Sequence, residues 1–407
     1  MPRKILHWKK IPATRINETI WGGESVAQSD IAEHSQELMT LFFEDPEKEK
    51  ERAAAAKKKG AAGAGGGSGK KAVSLLDLKR ANNIAITLSR FKQSNADIRA
   101  AILTLDDATL SVDALHMLLS LLPTADELKA LRAYKGDPAK LGGPEQFLLT
   151  MAKIPKVEAR IQGFIFKQEF NSRKEELRAR VTAAAACARR VAESTKFKGV
   201  LEITLALGNF MNAGHQLGNA GGVSIEGVLM LSGVRAGGGH QRITLMHYLA
   251  ALVSTKEPHL LDFAADLRGC REAAAAPPEG LRAELAQLVG CCDELAQTLR
   301  DIGGGGGAGR KEQDPSTATF LQIMSEFHAA ARGELEELEG KVALMEERFS
   351  ALARYFGEDP AAFRAGEFLG HVNAFVDQFD RCLAELRELR RGGGGGEGDG
   401  GLLGLLK

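Results

Sequence analysis

The chain has 407 residues, with 53 Lys+Arg against 53 Asp+Glu, and 44% of its residues are hydrophobic. That balance excludes an overall field drawing it to nucleic acid or an anionic membrane, so electrostatic partners must meet local patches. Aromatics make up only 6%, and Ala, Leu, Glu and Arg dominate over Val and Ile, which favours helix over sheet and predicts an almost all-α protein with a sizeable core.

The first element is an irregular arm from Lys4 to about Gly23, interrupted by Pro12 and followed by a short amphipathic segment, Val26 to Phe43. Residues 44–71, EDPEKEKERAAAAKKKGAAGAGGGSGKK, are charged and then Gly/Ala-rich, too poor in apolar surface to offset their chain entropy. They predict a linker of roughly 28 residues, spanning about 30 Å r.m.s. when flexible and up to about 95 Å when taut. From Ser74 to about Leu299 helical signals recur. Thr124 with Glu127 forms a capping box before DELKALRAY, and Pro144 suits the first turn of GPEQFLLTMAKI. GDPAKLGG, GNAGG and RAGGGH mark loops, and Asp301 to Asp314 is a second Gly-rich spacer. Beyond it Leu335, Leu338, Val342, Met345, Phe349, Leu352 and Phe356 recur at spacings of three and four, a heptad seam for a long helix that needs a helical partner, in this chain or another. Phe363, Phe368, Phe375 and Phe379 continue a helical face after YFGEDP, and the glycine tail after Arg391 reads as disordered.

Several residues ask for a reason. Trp8 and Trp21, the only tryptophans, lie in an arm too short and polar to bury them. Each indole can bury about 150–250 Å², an upper bound of roughly 4–6 kcal/mol at about 25 cal/mol per Å². Their receptor is either the arm's own domain or another subunit within reach of the linker, and the residues alone leave both open. In LLDLKRANNIAITLSRF, Leu78, Ala81, Ile84, Ala85, Leu88 and Phe91 form one stripe, and Ile86 falls roughly opposite its centre among Asn82, Asn83 and Thr87. A single exposed apolar residue is common and by itself requires nothing. In LEITLALGNFMNAGHQLGNAGG, glycine and asparagine suit a helix end that another backbone approaches closely, and no phosphate-loop spacing is present.

No constellation asks for catalysis, a cofactor or a metal. The nine histidines include no H-E-x-x-H pair, and no G-x-S-x-G elbow occurs. Cys187, Cys270, Cys291, Cys292 and Cys382 lack C-x-x-C or disulfide-rich spacing, which with no signal-type opening predicts a reduced, cytoplasmic protein. No run of about 18 apolar residues suggests a membrane span. The basic group Lys57, Lys58, Lys59, Lys70, Lys71, Lys79 and Arg80 is solvated charge able to meet an acidic surface.

Taken in order, KILHWKKI with ETIWGG, VSLLDLKRANNIAITLSRFK, LPTADELKALRAYKGD, IPKVEARIQGFIF, LEITLALGNFMNAG, LMHYL and YFGEDP with FDRC resemble the formin-homology-two domain of formins, in the style of plant or algal members. The match runs from Lys4 to about Arg390, with the linker and the Gly spacer as insertions. The resemblance implies an elongated all-α domain: lasso arm 1–43, linker 44–73, then knob, coiled-coil region and post across 74–390, with residues 391–407 as tail. It implies a non-enzymatic homodimer in a head-to-tail ring. The lasso residues Trp8 and Trp21 would grip the partner's post at Gly208, Asn209, Phe210, Met211, Asn212 and Gly214. It also implies actin monomers and the barbed ends of actin filaments as partners, nucleation and processive capping as activity, and the cytoskeleton as location. Ile86 matches the knob's actin-contacting isoleucine, with Lys79 and Arg80 beside it. Gly237 stands where many members carry an actin-contacting lysine, leaving Arg235 or Arg242 to supply that charge. Profilin would act only through a proline-rich region that these residues do not contain, so the chain reads as a domain of a longer protein. A helical dimerising scaffold that binds actin weakly or not at all, and an enzyme or small-GTPase regulator built on helices, are the competing expectations.

Overall fold

Helices arise where the sequence supplies both an apolar face and a start signal. In the computed structural model, which describes Leu6, Trp8 and residues 10–22, 76–134, 141–237, 242–304 and 315–391, the secondary structure is helical. No named strand occurs among the described residues, only two isolated bridges. The amphipathic segment at 26–43, the linker at 44–73 and the tail after 391 lie outside the described residues. Packing divides the chain into two units, and α6 (Val157–Glu193), α12 (Pro278–Gly303) and α13 (Pro315–Tyr355) contribute residues to both.

One unit, residues 55–177 and 283–339, contains among its described residues the short helices α1 (Leu78–Leu88), α2 (Asn95–Thr104), α3 (Val112–Leu121), α4 (Ala125–Ala133) and α5 (Gly143–Met151). Three of these, α1, α2 and α4, pack on α5 over Ile84, Ile98, Ile102, Phe147 and Met151, all buried. The capping box expected at Thr124 forms: Glu127 N–H donates to Thr124 Oγ1 at 3.3 Å and Thr124 N–H to Glu127 Oε2 at 2.8 Å. Pro144 occupies the first turn of α5 as expected. In the same unit α6 runs alongside α13, with Arg160 over the Phe320 ring at 4.4 Å and Phe166 and Phe170 edge-on to Phe327 at 5.6 and 5.5 Å.

The other unit, residues 1–54, 178–282 and 340–407, holds α7 (Thr195–Met211), α8 (Ile225–Val228), α9 (Leu245–Lys256), α10 (Phe263–Asp266), α11 (Cys270–Ala275) and α14 (Ala365–Arg391). Here α8, α9 and α11 pack on α14, and Phe197, Phe263, Phe356, Phe375 and Phe379 meet in a buried aromatic core. All seven residues of the heptad seam are buried. Its partners lie within the chain: α12 runs antiparallel to α13, as the ion pairs Arg332–Asp293 at 3.7 Å and Arg282–Glu346 at 3.5 Å require, and α6 adds Ala185 O, which accepts from Arg348 at 3.3 Å.

Candidate functional site: the arm seat and the Ile86 helix

The receiving side holds the arm mostly through main-chain carbonyls, with a side-chain clasp at Asn212. Leu6 N–H donates to Asn212 Oδ1 at 2.8 Å while Asn212 Nδ2 donates back to Leu6 O at 2.9 Å, a two-point clasp on one residue of arm main chain. Such paired bonds explain an asparagine only 1% exposed, since its amide could not be buried without them. Trp8 Nε1 donates to Leu217 O at 2.9 Å, Lys10 Nζ to Gly218 O at 2.5 Å, and Ile11 N–H to Gly222 O at 3.1 Å, beside the bridge Lys10–Val223. Further on, a 3₁₀ turn at Ala13–Glu18 brings Arg15 to Glu358 O at 2.7 Å and Ile20 N–H to Tyr355 O at 2.5 Å.

Both indoles are buried, Trp8 at 6% and Trp21 at 9% exposed, and glycines make the room. A Cβ on Gly208 would overlap the six-membered ring of Trp8, and one on Gly227 would stand 3.0 Å from Trp8 Cβ. At Gly222 an added Cβ would lie 2.5 Å from Trp21 Cδ1. Trp21 Nε1 finds no acceptor among the described residues. Gly357, with φ +74°, ends the helical path after Tyr355 and lets Ile11 approach to where a Cβ would be 2.7 Å from its Cδ1. Under the arm, burial and then the Glu202 charge push the Tyr355 phenol up, and burial raises the Glu202 carboxyl against the opposing pull of Lys198.

Of the expected post residues, Gly208 and Asn212 touch the arm directly. Asn209 instead braces the receiving loop, exchanging two hydrogen bonds with Ala220 at 2.8 and 2.7 Å. Met211 is a fully buried core residue, Phe210 is half-buried, and Gly214 (φ +80°) turns the chain after α7 with open space where a Cβ would be. Sequence reasoning passed over Leu217, Gly218, Gly222, Tyr355 and Glu358. Four of them serve through carbonyls alone, which leave no mark on side-chain identity.

In the unit of residues 55–177 and 283–339, Ile86 is 61% exposed on α1 while Ile84, two positions away, is fully buried. Asn82, Asn83 and Lys79 beside it are exposed. Ala85, expected on the buried stripe, is also exposed. Arg80 turns inward. Its Nε pairs with Glu127 Oε1 at 3.0 Å, and its terminal nitrogens donate to Ser120 O, Leu121 O and Leu122 O at 3.4, 3.3 and 2.9 Å, closing the C-terminus of α3. Burial would raise Glu127, but the Thr124 N–H and the Arg80 guanidinium outweigh it and hold the carboxyl below its usual range.

Near the expected second contact, Arg235 bridges Thr244 and Ala236 N–H donates to Ile243 O at 2.8 Å. One further step in this antiparallel register sets exposed Arg242 opposite Gly237. Among the described residues no cluster of His, Cys, Asp and Glu suits a metal ion, and no helix is long and apolar enough to cross a membrane.

The model of the Formin Homology 2 Domain matches residues 1–380. Curated relatives include Formin-like protein 6 of Oryza sativa subsp. japonica, 33% identical over 313 residues that cover 77% of this chain and 22% of that protein. Formin-like protein 12 of the same species is 33% identical over 388 residues, 94% of this chain and 22% of the relative. Formin-like protein 20 of Arabidopsis thaliana is 30% identical over 362 residues, 88% and 21%. The chain thus spans about a fifth of the length of these relatives. With an all-α body, a tryptophan arm seated among glycines and a match over nearly its whole length, the chain belongs to the Formin Homology 2 Domain family.

Proposed function

We propose that this chain is a dimeric actin-assembly module that nucleates filaments and caps their fast-growing barbed ends while subunits add. The observation that carries the reading is Ile86: a large aliphatic side chain, 61% exposed on a helix whose other face is fixed by packing, at the position where the family resemblance puts an actin contact. Exposed Lys79 extends that surface, and Arg80 supports it from behind by fastening α1 to α3 and α4. Arg242, opposite Gly237, supplies the cation of a second contact on the post, with Arg235 close by in sequence.

The arm seat is the proposed dimer contact. Every bond that docks the arm within one chain can be made by the arm of a second copy, because exchange of an identical element conserves its contacts. Two such exchanges close a ring, and the ring gives each half the high effective concentration that processive stepping needs. No chemical step is involved; paired binding sites stabilise an otherwise short-lived actin oligomer.

Pyrene–actin polymerisation tests the reading. Wild type should shorten the lag and slow barbed-end growth, Ile86→Ala should cut nucleation at least tenfold, and Trp8→Ala/Trp21→Ala should lose processive capping and dimer mass by light scattering. A wild-type protein that neither nucleates nor slows barbed ends overturns it. Gly237, without a side chain at the second contact, favours one alternative, a dimerising scaffold with little nucleation; it would be dimeric yet fail to co-sediment with filaments.

A further inference from the structure

Cys187 lies in the last turns of α6 and Cys270 opens α11, 83 residues later in the chain. Both are buried, at 0% and 1% exposure, and their sulfurs stand 3.2 Å apart. A disulfide needs about 2.05 Å, so a shift of roughly 1.2 Å in side chains that already face each other would bond them. The pairing is locally built. Gly269, at φ +86°, makes the left-handed turn that starts α11, and Arg190, one turn after Cys187, donates to Arg268 O at 2.6 Å, tying the two segments together. A Cβ on Gly269 would stand 2.8 Å from that guanidinium nitrogen.

The environment separates the two thiols. The hydrogen bond between the two thiols lowers Cys187 against the opposing effect of burial, with help from the Arg190 charge, while Cys270 is pushed strongly up. Burial raises Cys292, and it pushes Cys382 up to about 11, so these stay protonated at neutral pH. A thiol lowered in pKa beside a cation and within reach of a resolving thiol is one that peroxides oxidise reversibly once solvent reaches it.

We propose that Cys187 and Cys270 form a hydroperoxide-responsive pair, oxidised to an intramolecular disulfide that staples the end of α6 to the start of α11. The Cys187 thiolate attacks one oxygen of hydrogen peroxide. The O–O bond breaks, the departing hydroxide takes up a proton as water, and Cys187 becomes a sulfenic acid. Cys270 then attacks Cys187 Sγ, its proton goes to the sulfenic oxygen, and a second water leaves. Two electrons from the thiol pair thus reduce one peroxide to two waters. Because both sulfurs are shielded, access requires brief opening of the short helix α11, making the reaction slower than at an exposed thiolate but confined to this pair.

The test exposes the reduced chain to hydrogen peroxide in small molar excess, caps remaining thiols with a maleimide and maps non-reduced peptides by mass spectrometry. The expected result is a 187–270 linked peptide, a fall of two in the five free thiols, and a rise of several degrees in apparent Tm that dithiothreitol reverses. In Cys270→Ala a sulfenic acid at Cys187 should be trapped by dimedone, without the Tm rise. Oxidation that begins at Cys291 or Cys382 while the 187–270 peptide stays absent overturns the proposal, and this wild-type measurement stands even where the variant fails to fold.

Discussion

At residue 208 a single hydrogen separates a seat from a clash, since any Cβ there shares space with the Trp8 ring. Gly208→Ala should therefore expel the indole and forfeit several kcal/mol of burial, bounded by the roughly 4–6 kcal/mol of its full area. Helix α7 itself should be helped by about 0.5–1 kcal/mol, because alanine is the better helix former. The two effects are separable: both tryptophans of the chain lie in the arm, so a red-shifted emission reports arm release while circular dichroism of the helical body stays intact. Unchanged, blue-shifted emission from the variant would contradict the seat. The need of Trp8 and Trp21 for a receptor, and the fitness of the Gly208–Asn212 helix end for a close backbone approach, were legible from residue type; that one receives the other came only from the family resemblance. The carbonyls of Leu217, Gly218 and Gly222 were not, since any amino acid offers one. Ala85 was misplaced for a related reason: periodicity gives a helix's apolar side but not how wide a strip its neighbour covers.

Among the elements, α1 shows what sequence periodicity can and cannot supply. Its existence, the buried Ile84 and the outlying Ile86 follow from spacing. The Arg80 clamp does not, because Glu127 and Leu122 lie 47 and 42 residues away and meet it only after α3 and α4 have packed. Arg80→Ala removes one ion pair and the cation at a helix C-terminus, and should cost roughly 1–2 kcal/mol in denaturant unfolding. A pH signature accompanies it. The folded Glu127 carboxyl is held below its unfolded value, so the stability it contributes is complete above the unfolded pKa of about 4.3 and is lost as pH falls through the folded value. The gap between wild type and Arg80→Ala should narrow on acidification below about pH 4; a constant gap across pH 3–7 would remove Glu127 from the account. The capping box at Thr124 and Pro144 in the first turn of α5 were readable because caps are local chemistry, fixed within three or four residues.

For the molecule as a whole, the heptad seam announced a helical partner without naming it, and the partners are α12 and α6 of the same chain. With the seam satisfied within the chain, the proposed contact between copies is the arm seat, and a mixing experiment distinguishes exchange from docking within one chain. Gly208→Ala keeps a sound arm and spoils the seat; Trp8→Ala does the reverse. Each alone should run near the monomer mass of 43.6 kDa, and an equimolar mixture should recover a species of roughly twice that mass through one intact contact. No gain on mixing would return the arm to its own chain. The carbonyl-lined seat also dictates how it can be probed at all. Scanning its receiving loop by side-chain truncation would report near silence, because what holds the arm there is main chain and what admits it is the lack of a Cβ at Gly208 and Gly222. An interface built from absences is read by adding atoms, not by taking them away.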